Sequence, residues 1–357
     1  MRRTFAYEFR RNLLPLVIFC VVAAGISMAY TFTATLGHFN RFEEYYEFRP
    51  VDSAIGVFTA ILCVLATIVP ILQFSYRMKQ RSADLWYSLP VSRTKLTLVR
   101  VLEGLVLVFV PYTLAYWLGV AGVALQGMEF AYIHYLFYYA LSLPLGVGLF
   151  GALSFIFSRA NTVADGIMFL ILWACLFPLI ILVCLSDVTL FEADIASELP
   201  EYLSRYSGLE VSGYFFPYSA LAYTAGAFEA LIFRQEVAQV SEIALCFAVP
   251  LAVVEGIAGY VGLFVRADRD RAENAGQISS SWLGYRVLIP AYIVLLLGCV
   301  AELMDGETVM YVLVVLIGAA LYFAYRRTFR LKIADIICLV VSITAGIILA
   351  VILFYCT

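Results

Sequence analysis

Long apolar runs are the feature of this sequence that most limits what the chain can fold into. Nine stretches are each about 20 residues long, the length that an α-helix needs to cross a membrane. They are residues 13–33, 53–75, 97–122, 133–156, 163–184, 243–265, 284–303, 308–326 and 335–355. Since 63% of the residues are hydrophobic and 14% are charged, water cannot solvate most of this surface. Backbone in hydrocarbon must bond internally, so the sequence predicts an all-α polytopic membrane protein with about nine transmembrane helices.

Lysine and arginine are unevenly distributed between the loops that alternate along the chain. If the N-terminus is cytoplasmic, 19 of the 23 basic residues fall on the cytoplasmic side. The four exceptions are Arg41, Arg49, Arg205 and Arg234. Short cytoplasmic loops of membrane proteins carry such an excess of Lys and Arg. The sequence therefore predicts a cytoplasmic N-terminus and an extracellular C-terminus.

One more apolar run, residues 214–233, is a candidate for a tenth span. If it crossed, every later loop would change sides, and the basic residues would divide 12 to 11. We therefore predict a re-entrant or interfacial helix on the outer face, where Tyr and Phe suit the headgroup level. Residues 185–242 then form a small extracellular cap, with an amphipathic helix near 191–206. The cap separates the first five helices (1–184) from the last four (243–357).

The cytoplasmic loop after the second span predicts a short amphipathic helix near residues 77–90. Pro90 is placed to end this helix, and Ser92 is placed to cap the next one. The apolar face of the short helix would hold Leu85, Trp86 and Leu89. Such a helix could transmit a push from a soluble partner to the two spans that it joins. It could equally anchor the chain to anionic lipid, and the residues alone favour neither role.

Three short segments give the chain a likeness to a known family. The first contains Arg81, Asp84, Leu89, Pro90, Ser92 and Arg93, the second is Arg269–Gly276 (RDRAENAG), and the third is Phe216–Leu221 (FPYSAL). They resemble the cytosolic coupling helix, a later Arg-x-x-x-Glu-x-Ala-Gly segment and an outer Pro-Ser-Ala turn. All three belong to type-two ABC export permeases of the Gram-positive kind associated with acetoin or peptide antibiotics. The chain departs from the six-span form of that family by three further helices and a longer outer segment.

The resemblance implies a permease subunit of an ATP-driven exporter in a bacterial plasma membrane. Its substrate would be hydrophobic or amphipathic, such as a peptide, a lipid or a drug-like molecule. Its implied partners are a cytosolic ATPase dimer, which binds ATP and magnesium, and a second permease subunit that is the same or a related chain. The residues to which the resemblance assigns ATPase coupling are Arg81, Asp84, Leu85, Trp86, Leu89, Pro90, Arg93, Arg269 and Glu273.

Chemistry within the chain itself has little support in the sequence. A phosphate-binding loop needs Lys after Gly, and none of the three lysines (Lys79, Lys95 and Lys332) follows a glycine. The two histidines lack metal-ligand spacing, and no catalytic serine or zinc motif is present. No basic patch interleaved with aromatics points to nucleic acid. We therefore expect no catalytic residue, cofactor or metal here, and we expect membrane lipid as a partner.

Glu255 lies near the middle of the sixth predicted span. An acid there costs about 2.5–3.5 kcal/mol on insertion scales, so it should face the bundle or a wet cavity. It is either a substrate or proton contact, or a buried acid that supports packing. Glu103 and Asp165, near the inner ends of their spans, are expected to pair with arginines. Two alternatives to ATP-driven export stay open: an ion-coupled secondary transporter that uses Glu255, and a membrane sensor or scaffold with an extracellular cap.

Overall fold

The computed structural model describes residues 2–39, 54–88, 91–125, 132–195, 212–232, 239–267, 272–279, 281–303 and 308–356. No strand occurs in these ranges. The α-helices are α1 (Arg2–Phe39), α2 (Ile55–Phe74), α3 (Gln80–Tyr87), α4 (Arg93–Ala124), α5 (Tyr132–Phe157), α6 (Val163–Ile195), α7 (Ser219–Ile232), α8 (Gln239–Ala267), α9 (Tyr285–Leu303), α10 (Thr308–Arg326) and α11 (Ile333–Cys356). Two 3₁₀ turns accompany them, Ser75–Met78 and Ala272–Asn274.

Seven of the described helices are long and apolar enough to cross a membrane. Their spanning portions are Tyr7–Phe32, Ile55–Met78, Arg93–Ala124, Tyr132–Phe157, Val163–Cys184, Ala244–Ala267 and Ile333–Leu353. Shorter apolar helices occupy two other predicted spans, at Tyr285–Val300 and Thr308–Phe323. The prediction of an all-helical polytopic membrane protein is confirmed. The count of nine spans and the direction of the termini stay predictions.

One compact unit consists of Met1–Ser158 and Pro217–Asn274. In it α1 and α2 pack against α4, α2 also packs against α5, and α5 packs against α8. The α5–α8 contact depends on small residues, because Gly256 lies directly against the backbone of Gly148 and Gly259 lies against Ala152. The Tyr260 hydroxyl then donates to the Val147 carbonyl at 2.9 Å. Small side chains let two membrane helices approach closely in this way.

The second unit consists of Arg159–Phe216 and Ala275–Thr357, so α6 belongs with α9, α10 and α11. Its core residues are Ile289, Ile293, Leu297, Val300, Val314, Tyr322 and Tyr325. Two long-range hydrogen bonds hold α6 in place: Trp173 Nε1 donates to the Leu283 carbonyl at 2.9 Å, and the Tyr292 hydroxyl donates to the Leu172 carbonyl at 2.6 Å. The sequence-based division at residues 184 and 242 concerned sides of the membrane and stays a prediction.

The tenth apolar run forms α7, which packs against α2, α5 and α8. With 14 residues it is about 21 Å long, which is less than the roughly 30 Å of a hydrocarbon core. Glu229 on α7 accepts a hydrogen bond from the Gly56 amide at 3.0 Å, in the first turn of α2. The hydroxyls of Tyr218 and Thr67 lie 3.1 Å apart. The re-entrant or interfacial position of α7 on the outer face stays a prediction.

The predicted extracellular cap is described only in part. α6 continues as a helix to Ile195, beyond the predicted end of the fifth span at residue 184. Residues 196–211 and 233–238 lie outside the described residues, and with them most of the predicted amphipathic helix at 191–206.

Candidate functional site

The predicted amphipathic helix after the second span is present as α3, but its apolar face differs from the prediction. α2 ends in the turn Ser75–Met78, Lys79 is extended, and α3 begins at Gln80. Ala83 and Trp86 are buried, whereas Leu85 is 65% exposed. Neighbouring residues in a helix point about 100° apart, so Leu85 cannot share the buried direction of Trp86. The other two predicted residues of this loop, Leu89 and Pro90, lie outside the described residues.

The outer face of α3 is open. Exposed residues recur at helical spacing along α3 and its C-cap, at Arg81, Asp84, Leu85 and Ser88, and Gln80 is exposed as well. They present a cation, an anion, an apolar side chain and a hydroxyl in one short stripe. Within the unit, nothing described covers this stripe. α3 therefore has one face packed on the protein and one exposed face.

The buried face of α3 contacts Arg100 on α4. This arginine is only 2% exposed, and its guanidinium carbon lies 4.6 Å from the ring centre of Tyr76 and 4.7 Å from that of Trp86. The two rings are themselves 6.2 Å apart in an edge-on arrangement. A cation held against aromatic faces away from water is stabilised by about 2 kcal/mol. The contact joins α3 to α4 through one side chain from each helix.

Glu8 on α1 neutralises Arg100. Arg100 Nη2 donates to Glu8 Oε1 at 2.9 Å, and Nη1 lies 2.9 Å from Oε2. Nη1 also donates to Gln73 Oε1 at 3.4 Å. Glu8 is fully buried. We call Glu8, Gln73, Tyr76, Trp86 and Arg100 the Arg100 cluster; it connects α1, α2 with its terminal turn, α3 and α4.

A second buried carboxylate lies one helical turn beyond Arg100. Glu103 is 1% exposed, and neither of its oxygens has a hydrogen-bond partner among the described residues. The side chain of Asn12 on α1 is close enough to interact with it. The expected pairing of Glu103 with an arginine is not observed, because the guanidinium of Arg100 is bonded to Glu8 instead. Two buried acids therefore share the surroundings of one buried arginine.

The residues after α3 reinforce the turn into α4. The Ser92 hydroxyl accepts the Lys95 amide at 3.4 Å, so the predicted N-cap is confirmed. Arg93, which begins α4, places its guanidinium 4.7 Å from the ring centre of Tyr87 at the end of α3. The end of α3 and the start of α4 are therefore tied together by side chains as well as by the chain.

The second family-like segment contributes one described turn to this site. Ala272–Asn274 lies against α3, although the two are almost 200 residues apart in sequence. Glu273 is exposed there, and Arg269 lies outside the described residues. Within the other unit, Gly276 has a positive φ of 78° that favours glycine, and its amide donates to the Asn161 carbonyl at 2.9 Å. Two segments singled out separately from the sequence are thus neighbours at α3.

Glu255 is half-buried on α8, far from the Arg100 cluster in sequence. No hydrogen bond or ion pair to it is found among the described residues. Its neighbours Gly256 and Gly259 make the close contact with α5. In contrast, Asp165 in the second unit pairs as expected, with Arg327 at 3.7 Å.

The sequence predicted α3 but not the cluster beneath it. Arg100 counted only as one of the cytoplasmic basic residues, and Glu8 was not singled out. The available signal was position: Arg100 and Glu103 lie inside an apolar run, where ionisable groups are costly and need partners. Glu8 could not have been matched to Arg100 from one sequence, since 92 residues separate them.

Comparisons with known proteins add no family to these observations. No protein-family model, no curated protein and no solved structure matches the chain. The searched residues also contain no group of three or more His, Cys, Asp or Glu side chains that could hold a metal ion. Fold and site together define an all-helical polytopic membrane protein in which a short, half-exposed helix is joined to its spans by a buried arginine.

Proposed function

We propose that this chain is the permease subunit of an ATP-driven ABC exporter in a bacterial plasma membrane. It moves a hydrophobic or amphipathic substrate, and a separate cytosolic ATPase dimer supplies the energy. The observation that supports this best is the two-sided character of α3. Its stripe of Arg81, Asp84 and Leu85 is open, while Trp86 on its other side contacts the buried Arg100.

The Arg100 cluster gives the proposal a route for force. When the ATPase dimer binds ATP and closes, it pushes on α3. Because Trp86 lies against Arg100 and Arg100 is bonded to Glu8, the displacement reaches α4 and α1 together. Packed, hydrogen-bonded elements move as bodies rather than deforming continuously. The turn Ala272–Asn274 beside α3 offers the ATPase a second contact.

The test is co-purification and transport with an ATPase encoded beside this chain. We expect the wild-type chain to retain the ATPase, and inside-out vesicles to accumulate substrate only with ATP. The double variant Arg81→Glu/Leu85→Asp should lose the ATPase while keeping its melting temperature, since both side chains are exposed. Thr308→Asp, at an exposed position at the start of α10, is the control and should keep it. Transport by the purified chain alone without ATP would refute the proposal.

Glu255 supports one rival, an ion-coupled secondary transporter. An acid in the middle of a span with no described partner is the kind of group that proton-coupled carriers use. Under the proposed export function, Glu255→Gln leaves ATP-dependent transport unchanged. If that variant abolishes transport and the wild-type activity collapses when a protonophore is added, the secondary transporter is the better interpretation.

A further inference from the structure

The loop between α10 and α11, residues 327–332, is held rigidly at both ends. Asp335 accepts two hydrogen bonds from Arg326, at 2.6 and 2.5 Å, and a third from the Lys332 amide at 3.2 Å. One carboxylate therefore closes the loop and neutralises the last residue of α10. Arg327 has a φ of 53°, which is uncommon outside glycine, and its guanidinium lies 3.7 Å from Asp165.

These contacts pair the acids near the loop with Arg326 and Arg327, so two other cations of the loop are not neutralised. Asp335 is bonded to Arg326, and Asp165 faces Arg327 while it accepts hydrogen bonds from Ser279 and Tyr285. The side chains of Arg330 and Lys332 are exposed, and neither forms a salt bridge among the described residues, although Asp335 lies near Lys332. The loop thus presents a local excess of positive charge that the protein does not balance.

Apolar side chains alternate with these cations and point outward. Phe329 is 91% exposed, and its ring centre lies 5.7 Å from that of Phe323; Ile333 is 78% exposed. Leu331 points the other way and packs against the core of the unit. A loop that joins the ends of two apolar helices lies at the membrane surface, where rings and aliphatic chains can leave water. The cations of the loop suit the phosphate of a lipid headgroup, and its exposed apolar side chains suit the acyl chains beneath that headgroup.

We propose that residues 327–333 form a binding site for anionic phospholipid in the leaflet that they face. Arg330 and Lys332 contact the phosphate of the lipid, and Phe329 and Ile333 contact its acyl chains. Nucleic acid would fit less well, because it would leave the two apolar side chains in water. Lipid is favoured over a protein partner because a loop between two apolar helices lies next to the bilayer. The site is independent of export and of α3, so it holds whether or not the proposed function is correct.

The experiment uses the full chain in nanodiscs of phosphatidylcholine with or without phosphatidylglycerol. Native mass spectrometry counts retained phosphatidylglycerol, and a melting curve is recorded for each composition. We expect wild type to retain this lipid and to melt at a higher temperature in its presence. Arg330→Gln/Lys332→Gln should retain about tenfold less, and the matched Arg330→Lys variant should behave as wild type. Equal retention by wild type and the double variant would overturn the proposal.

Two further arms separate the sources of the effect. Inorganic phosphate added to protein in neutral lipid should give no shift in melting temperature; an equal shift would mean that the site binds free phosphate rather than lipid. Phe329→Trp should be quenched by brominated acyl chains beyond the quenching of the four native tryptophans. An added tryptophan that stays unquenched would place the loop in water and would contradict the apolar half of the site.

Discussion

Glu8 and Arg100 form an ion pair in which both side chains are almost completely buried. Removing one partner from such a pair leaves an uncompensated charge and costs about 3–5 kcal/mol, whereas replacing both with apolar residues is often neutral. We therefore expect Arg100→Met to lower the melting temperature strongly and Glu8→Leu/Arg100→Met to recover most of the loss. The measurement is thermal unfolding of all three variants, with Glu8→Leu, in one detergent. A double variant less stable than either single variant would show that the pair is not the main contact of these residues.

Trp86 should be needed for coupling rather than for assembly, if the proposed function is correct. Trp86→Ala removes the ring against which Arg100 lies but leaves the exposed stripe of α3 intact. The expected result is a complex that still contains the ATPase and hydrolyses ATP, with substrate transport reduced about tenfold or more by a lost contact of about 2 kcal/mol. Trp86→Phe keeps an aromatic face and should retain most transport. Equal transport by the Ala and Phe variants would contradict the assigned role.

Glu103 should be replaceable without loss of stability. A buried carboxylate with no described hydrogen-bond partner contributes a desolvation cost and little in return. We expect Glu103→Gln to melt at the same temperature as wild type or above it, while the same exchange at Glu8 lowers the melting temperature. Thermal unfolding of both variants in parallel is the check. A marked loss of stability in Glu103→Gln would reveal a partner for this acid, such as a buried water.

Gly256 is predicted to tolerate no side chain. A Cβ atom there would overlap the backbone of Gly148, and backbone on α5 cannot move aside without separating the helices. Gly256→Val should lower stability by at least the 1–3 kcal/mol typical of overpacking. Ala258→Val, two residues away on the exposed side of α8, is the matched control and should have no effect. Equal melting temperatures for the two variants would refute the close α5–α8 contact.

The elements that the sequence predicted well are those determined by local physics. Apolar runs became helices because hydrocarbon offers the backbone no other partner, and Ser92 caps α4 because a hydroxyl next to the first free amides serves that end. The short helix α3 (Gln80–Tyr87) lies within the predicted range 77–90.

The sequence could not predict which residues far apart in the chain contact each other. Leu85 and Trp86 are both apolar and adjacent, so the sequence does not show which of them is buried. Trp86 is the buried one, and it contacts Arg100 on another helix. The partner of Arg100 could have been Glu103 on its own helix, yet it is Glu8 on α1. Likewise α6 joins the last three helices in one compact unit, a grouping that chain order conceals.

The pairing of Glu8 with Arg100 also orders events during synthesis. Translation proceeds from the N-terminus, so the acid is in the membrane before the ribosome has made the arginine that needs it. Glu8 is therefore available as a counter-charge when Arg100 enters the bilayer, which lowers the free-energy cost of inserting an unpaired guanidinium. A fusion that displaces the first turns of α1 would move Glu8 away from Arg100. A purification tag for this protein is therefore better placed elsewhere.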